Sequence, residues 1–349
     1  MSVCEALPAV LRHYPVGEIL DFQRIERGYV NQTWLVKTST GRYVLKRRQA
    51  NPINIERVEA QQALLEYLHH RGFPAPEIVR TRDSVPFLNW DNTVYELYEY
   101  IPGDICDSSK VSHIKAAART LGQYHTLVNG FKHPLFQAQT CYSPTILKHI
   151  LERLKRTLDK EPDELQLRIW ERLQSHCQDL LVQIDQLVTF PHLVIHGDYW
   201  DENIIIQGNE VVGVVDYDHA HRCARIQEIT EALIYFAREQ PGHYQHIVYP
   251  GALDLQTTHL FLAAYGEINI LTDEEIQALP YLIRTIWLCA SLKPPLKPRL
   301  RLEKDQDALL ELLDLADWAQ NYTQDIIHIG FDVYNKKSKI SLVDKHHKI

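Results

Sequence analysis

The phosphate-binding fingerprint G-x-x-x-x-G-K-[ST] occurs nowhere in this chain, which excludes P-loop folds. The six cysteines (Cys4, Cys106, Cys141, Cys177, Cys223 and Cys289) form no C-x-x-C pair. Zinc-ribbon and redox motifs therefore find no support, and the thiols read as reduced, partly buried side chains of a cytoplasmic protein. No apolar run approaches the roughly 18 residues of a membrane span. The opening "MSVCEALPAVLRHYPVG" lacks a basic start followed by an apolar stretch, so no signal peptide and no membrane are expected. Positive charge is in deficit. The formal net charge of −8 argues against general nucleic-acid binding, although a local basic cleft still suits phosphates. No internal repeat is visible, and oligomeric state is not legible.

What remains is an ordinary soluble mixture, 45% apolar and 23% charged over 349 residues. That length accommodates two lobes and a core that needs neither disulfides nor a structural metal. The first hundred residues read as a β-rich module with one helix. "FQRIERGYVNQTWLVKTSTGRYVLKRR" holds two strand-like runs, the second following a "TSTG" turn. In "NIERVEAQQALLEYLHHRG", Val58, Leu64, Leu65 and Leu68 recur at helical spacing before Gly72. "VPFLNWDNTVYELYEYIPG" adds strands that end at a Pro-Gly turn. From about residue 108 the pattern is mainly helical, interrupted by a strand-rich insert over 192–218. The expected architecture is α+β and bilobal. A small β-rich lobe over 1–101 precedes a larger helical lobe over 102–335, with a basic polar tail over 336–349 and an active site in the cleft between the lobes.

The chemistry gathers in "VIHGDYWDENIII" and the following "QGNEVVGVVDYDHA". Asp198 and Asn203 lie five residues apart on one loop, and Asp216 arrives thirteen residues later as a Val-rich strand runs out. A hairpin turning at Gly208-Asn209 would return Asp216 to Asn203. A carboxylate and a neutral amide oxygen suit a hard cation such as Mg²⁺. Asp198 is then left to act on an attacking hydroxyl, which is the division of labour that phosphoryl transfer needs. Loop Asp and Asn most often satisfy turn amides. Here they converge between apolar strands, where unpaired carboxylates are costly unless a metal or cation offsets them. Asp201 and Glu202 read as solvated spacers.

"HGDYWDEN" resembles the H-G-D-x-x-x-x-N signature of aminoglycoside phosphotransferases, choline kinases and their relatives, and "VVDYD" occupies the place of their metal-binding Asp. The resemblance implies a protein-kinase-like fold, ATP and Mg²⁺ as cofactors, and a small-molecule alcohol as acceptor. It implies Asp198 as catalytic base, His196 as a brace of the loop, and Asn203 and Asp216 as metal ligands. It places Lys46 of "YVLKRR" on the nucleotide phosphates, paired with a helix carboxylate, Glu59 or alternatively Glu56. Gly28 and Asn31 of "ERGYVNQTW" fall where the phosphate loop lies. Glu99 and Ile101 of "YEYIPG" fall where backbone groups read adenine.

Within that superfamily the likeness runs to the homoserine kinase type II branch, over most of residues 14–320. It departs in "RGYVNQT", where that branch has E-G-x-x-N-S-N, and at Glu228, where many relatives have an Asp that buttresses the catalytic loop. Tyr199, Trp200, Asp218, His219 and His221 are candidate lining of the acceptor pocket, and Arg284 reads equally as a binder of a carboxylate or as an ordinary helix Arg with a local ion pair. Homoserine or a similar amino alcohol is the leading acceptor. Two other readings stay open: a metal-dependent hydrolase built on the Asp/His cluster of "DYDHAH", and a catalytically inactive kinase-fold binding protein.

Overall fold

The computed structural model describes residues 3–26, 31–49, 53–136, 144–158, 160–184, 189–239, 251–292 and 301–346. These residues fall into two compact units. One comprises Met1–Ile105, Gly130–Gln137 and Glu202–Ala220; the other comprises Cys106–Asn129, Ala138–Asp201 and His221–Ile349. The boundary expected at residue 101 is thus not a single cut, because the insert after Asp201 belongs to the β-rich unit.

In the β-rich unit, period-two alternation builds an antiparallel sheet. Its strands are β1 (Ile19–Ile25), β2 (Gln32–Thr38), β3 (Arg42–Arg47), β4 (Leu88–Trp90) and β5 (Thr93–Glu99), in the order β1-β2-β3-β5-β4. Trp34 and Val36 of β2, Tyr43 and Leu45 of β3, and Tyr95 and Leu97 of β5 form one buried cluster. A helix that the sequence reading missed, α1 (Val3–Leu11), supplies Leu7, Val10 and Leu11 to it. Pro8 in the interior of α1 reads as a helix breaker and hides the helix. The β4–β5 connection is only Asp91 and Asn92, both at positive φ (49° and 56°), which is the geometry of a tight hairpin that Asp and Asn tolerate.

Helix α2 (Ile55–His69) starts where the Asn54 side chain accepts the Arg57 N–H. It buries Val58, Leu64, Leu65 and Leu68, and also Gln61 and Gln62. A second, three-stranded sheet has the order β6 (Asp104–Ile105), β8 (Ile204–Gln207), β9 (Glu210–Val214), and β7 (His192–Ile195) belongs to the helical unit. Gly103 precedes β6 at φ 153°, and a Cβ there would come within 2.7 Å of the Ile206 carbonyl oxygen. The β8–β9 turn falls at Gly208-Asn209, as expected, with Gly208 at φ 64°.

The helical unit holds α3 (Val111–Val128), α4 (Pro144–Lys155), α5 (Glu164–Ile184), α6 (Arg225–Phe236), α7 (Leu255–Tyr265), α8 (Asp273–Leu292), α9 (Gln306–Asn321) and α10 (Thr323–His346). Among its described residues one strand pair forms, β7 (His192–Ile195) against β10 (His221–Ala224). The expected tail over 336–349 is instead helical as far as His346, because α10 continues through it. No helix among the described residues is long and apolar enough to cross a membrane.

Cys106, Cys177, Cys223 and Cys289 are buried thiols, and that of Cys223 donates to Gln227 Oε1 at 2.9 Å. Burial pushes the Cys106 and Cys177 thiols up to about 12. Because the thiolate is the nucleophile, neither is expected to react with iodoacetamide at pH 8 until the chain is unfolded. Peptide mass spectrometry of native and urea-treated protein checks this.

Candidate active site

The candidate residues occupy both units, and each set has its own internal frame. In the β-rich unit, Lys46 lies near the end of β3, directly across from Glu96 of β5. Its ammonium is 2.8 Å from an oxygen of Asp216 and 2.8 Å from an oxygen of Asp218. Burial disfavours the charge on Lys46, but the two carboxylates outweigh it and hold the amine firmly protonated. Asp216 follows β9 at φ 65°, ψ 70°, a left-handed conformation uncommon outside glycine. The Val215 N–H donates to the Asn203 carbonyl at 2.9 Å. That bond closes the hairpin and brings the two expected metal ligands, Asn203 and Asp216, to the same end of β8 and β9.

Asp218 is held more completely than Asp216. Besides Lys46, Arg48 Nη2 lies 3.3 Å from its carboxylate, and the Asn31 amide donates to it. Its carbonyl accepts Gln61 Nε2 at 2.9 Å and Arg57 Nη2 at 3.0 Å, both from α2. Burial pushes the Asp218 carboxyl up, yet Lys46 and Arg48 win and keep it at about 2. Arg48 also grips the fully buried Glu96 with two bonds, of 2.7 and 2.9 Å. Gln62 and Tyr98 complete the shell around Glu96.

This arrangement corrects the expected Lys46–Glu59 pair. Glu59 and Glu56 both face solvent, and Lys46 takes its carboxylates from Asp216 and Asp218. Helical spacing explains the miss: the α2 positions turned inward are Gln61 and Gln62, which register alone does not separate from Glu59. Asn31 is tied to Asp218 and accepts the Gln49 N–H at 3.1 Å. Gly28 lies outside the described residues. Glu99 is exposed at the end of β5, its N–H donating to Glu77. Ile101 packs over Gly213 of β9, where a Cβ would meet its Cδ1 at 3.0 Å.

In the helical unit, the loop after β7 is pinned at successive residues. His196 is fully buried, and its Nδ1 accepts the Asp198 N–H at 3.3 Å. Gly197 sits at φ 77° and donates its N–H to Glu228 Oε1 at 2.7 Å. Glu228, on α6, thereby performs the buttressing expected of an Asp at that place. Its second oxygen is 2.8 Å from His125 Nε2, and His125 Nδ1 is 2.9 Å from the Tyr265 hydroxyl. A carboxylate only accepts, so His125 donates from Nε2 and turns Nδ1 toward Tyr265. Tyr199 is buried and donates to the Ala117 carbonyl at 2.8 Å, so it holds the loop to α3. Asp198 itself is half-buried, as is Trp200, whose ring lies 5.9 Å from that of Tyr235.

Two further expectations are corrected. Asp201 is not a solvated spacer: it is buried, accepts the Ser108 hydroxyl at 2.7 Å, and lies 3.3 Å from Arg238 Nη2. No local signal marked it, because its partners are distant in sequence. Arg284 is not a free binder of carboxylates either. It is 2% exposed, paired with Asp179 and donating to Gln320 at 2.9 Å, as a structural core cation. Among the described residues, no group of three or more His, Cys, Asp or Glu side chains is placed to hold a metal.

Removing Glu228 orphans the buried His125 donor, at a cost of about 1–3 kcal/mol, and the part-buried Gly197 N–H, at a smaller one. Glu228→Ala is expected to lower the melting temperature by several degrees. Glu228→Gln keeps one acceptor oxygen and is expected to recover much of that loss, which thermal denaturation followed by circular dichroism reads directly.

A β-rich unit with a lysine clasped by the carboxylates of a strand-end turn, and a helical unit with a buttressed Asp loop, define a kinase-like α+β phosphotransferase. The comparisons agree. Residues 21–258 match the phosphotransferase enzyme family, and the chain belongs to it as a small-molecule kinase. The homoserine kinase of Methylobacillus glycogenes is 25% identical over 291 residues, covering 81% of this chain and 83% of that one. Among solved structures, the aminoglycoside phosphotransferase of Alicyclobacillus acidocaldarius superposes with a TM-score of 0.66 at 16% identity, over 93% of this chain and 96% of the other. Amicoumacin kinase hAmiN, in complex with AMP-PNP, Ca²⁺ and amicoumacin, gives 0.64 at 16% identity, over 93% and 94%.

Proposed function

We propose that this protein transfers the γ-phosphate of ATP to a hydroxyl of a small amino alcohol, homoserine or a close analogue. The observation that carries the reading is Lys46 clasped by Asp216 and Asp218, beside a hairpin end that pairs the Asp216 strand with Asn203. Lys46 meets the nucleotide phosphates. Asn203 and Asp216 present an amide oxygen and a carboxylate, a donor set that fits Mg²⁺, which when bound neutralises charge on the phosphates. Asp198 accepts the proton of the attacking hydroxyl, its backbone held by His196 and its neighbour Gly197 held by Glu228. The amino-alcohol acceptor is supported by the homoserine kinase likeness over four fifths of both chains.

The test is ATP consumption with Mg²⁺ against homoserine, choline, aminoglycosides, hydroxylated amino acids and sugars, with the product identified by mass. Phosphorylated homoserine, or another phosphorylated amino alcohol, is the expected product. Turnover confined to a sugar would overturn the acceptor, and failure to bind AMP-PNP would overturn the kinase mechanism.

A further inference from the structure

Lys46 needs a fixed partner if its ammonium is to stay aimed at a phosphate, because a four-carbon stem with several rotatable bonds does not hold a direction by itself. The helix that packs nearby offers none: Glu56 and Glu59 are exposed, and the inward positions of α2 are the neutral Gln61 and Gln62. Glu96, across the sheet from Lys46, is already occupied by Arg48, Gln62 and Tyr98. That leaves Asp216 and Asp218, and the two differ in how they are held.

The Asp216 side chain is 39% exposed and that of Asp218 17% exposed. Both oxygens of Asp218 are in use, Oδ1 by Lys46 and Arg48 and Oδ2 by Asn31. Its backbone carbonyl is bonded by Gln61 and Arg57 of α2. Asp218 is therefore fixed from three elements, β3, α2 and the segment at Asn31, whereas Asp216 keeps an accessible carboxylate for a metal.

We infer that Asp218 is the positioning residue for Lys46, doing from the metal-binding turn what a carboxylate on α2 would otherwise do. Through its carbonyl it also makes α2 a clamp on that turn, so the helix steadies Lys46 without contributing a carboxylate. This rests on the reading of Lys46 as a ligand of the nucleotide phosphates.

The experiment compares binding of AMP-PNP with Mg²⁺, and of adenosine alone, by calorimetry, which needs no acceptor. Lys46→Ala and Asp218→Asn are each expected to raise the AMP-PNP Kd about tenfold or more, the scale of one charge-assisted hydrogen bond. Adenosine binding is expected to be unchanged, since a merely structural defect would weaken both ligands. The double variant is expected to be little worse than Lys46→Ala. Glu56→Gln and Glu59→Gln are expected to be silent. Asp218→Glu keeps the charge one methylene further out and is expected to restore part of the affinity; it also serves where Asp218→Asn impairs folding. If Lys46→Ala weakens AMP-PNP while Asp218→Asn does not, or if Glu59→Gln mimics Lys46→Ala, the inference is overturned alone. If Lys46→Ala leaves AMP-PNP binding unchanged, the phosphate reading of Lys46 falls, and the inference with it.

Discussion

Asp198→Ala is expected to lower turnover roughly 100- to 10,000-fold, the usual contribution of a positioned general base, while AMP-PNP binds with near-normal affinity. The argument starts from how the loop is held. His196 accepts the Asp198 N–H, Glu228 accepts the Gly197 N–H, and Tyr199 is anchored on α3. None of these bonds uses the Asp198 carboxylate, so truncating it removes the proposed base and leaves those supports in place. A loss confined to kcat is the signature of an interaction made in the transition state. Near-normal turnover with an established acceptor would remove Asp198 from the role of base.

The second large effect is expected at Asp216, where function and backbone preference pull apart. At φ 65° a non-glycine residue carries strain that Asp tolerates better than most and glycine does not feel. In Asp216→Gly the relief of strain offsets part of the cost of removing one of the two carboxylates from Lys46, while the Mg²⁺ needed for half-maximal activity is expected to rise at least about tenfold, the equivalent of roughly 1.4 kcal/mol. Asp216→Ala loses the same ligand without relieving the strain, and is expected to melt lower than Asp216→Gly. A metal titration and a thermal melt on the two variants separate the effects. An unchanged metal requirement in both would take Asp216 out of the proposed ligand set.

The features legible in the sequence were those encoded locally. The Gly208-Asn209 turn, the Val-rich strand that runs out just before Asp216, the periodicity of α2 and the mainly helical pattern after residue 108 all depend on neighbours in the chain, and the structure has a turn, a strand and helices there. Asp201 was misjudged, and the role of Arg284 was left between two readings, because their burial comes from Ser108, Arg238, Asp179 and Gln320, which lie far away in sequence. Glu59 was misjudged for a subtler reason. Periodicity identifies the apolar stripe of α2, but the polar groups at its margin are sorted by which of them Glu96 and Asp218 can receive. Two glutamines won, since a carboxylate beside Glu96 would have added a second buried negative charge.

Helix α1 has a consequence for how the molecule can be cut. The match to the family begins at residue 21, after α1 has ended, yet Leu7, Val10 and Leu11 close over Trp34, Val36, Leu45 and Leu97. A fragment trimmed to the matched residues would bare the apolar face of the same sheet that carries Lys46. Each such leucine contributes about 1.5–3 kcal/mol when fully buried, and an uncovered sheet face of this kind attracts other chains. The helix thus works as a lid on the sheet that carries Lys46, and the smallest soluble form of this kinase is expected to be longer at its N-terminal side than the family's shared core.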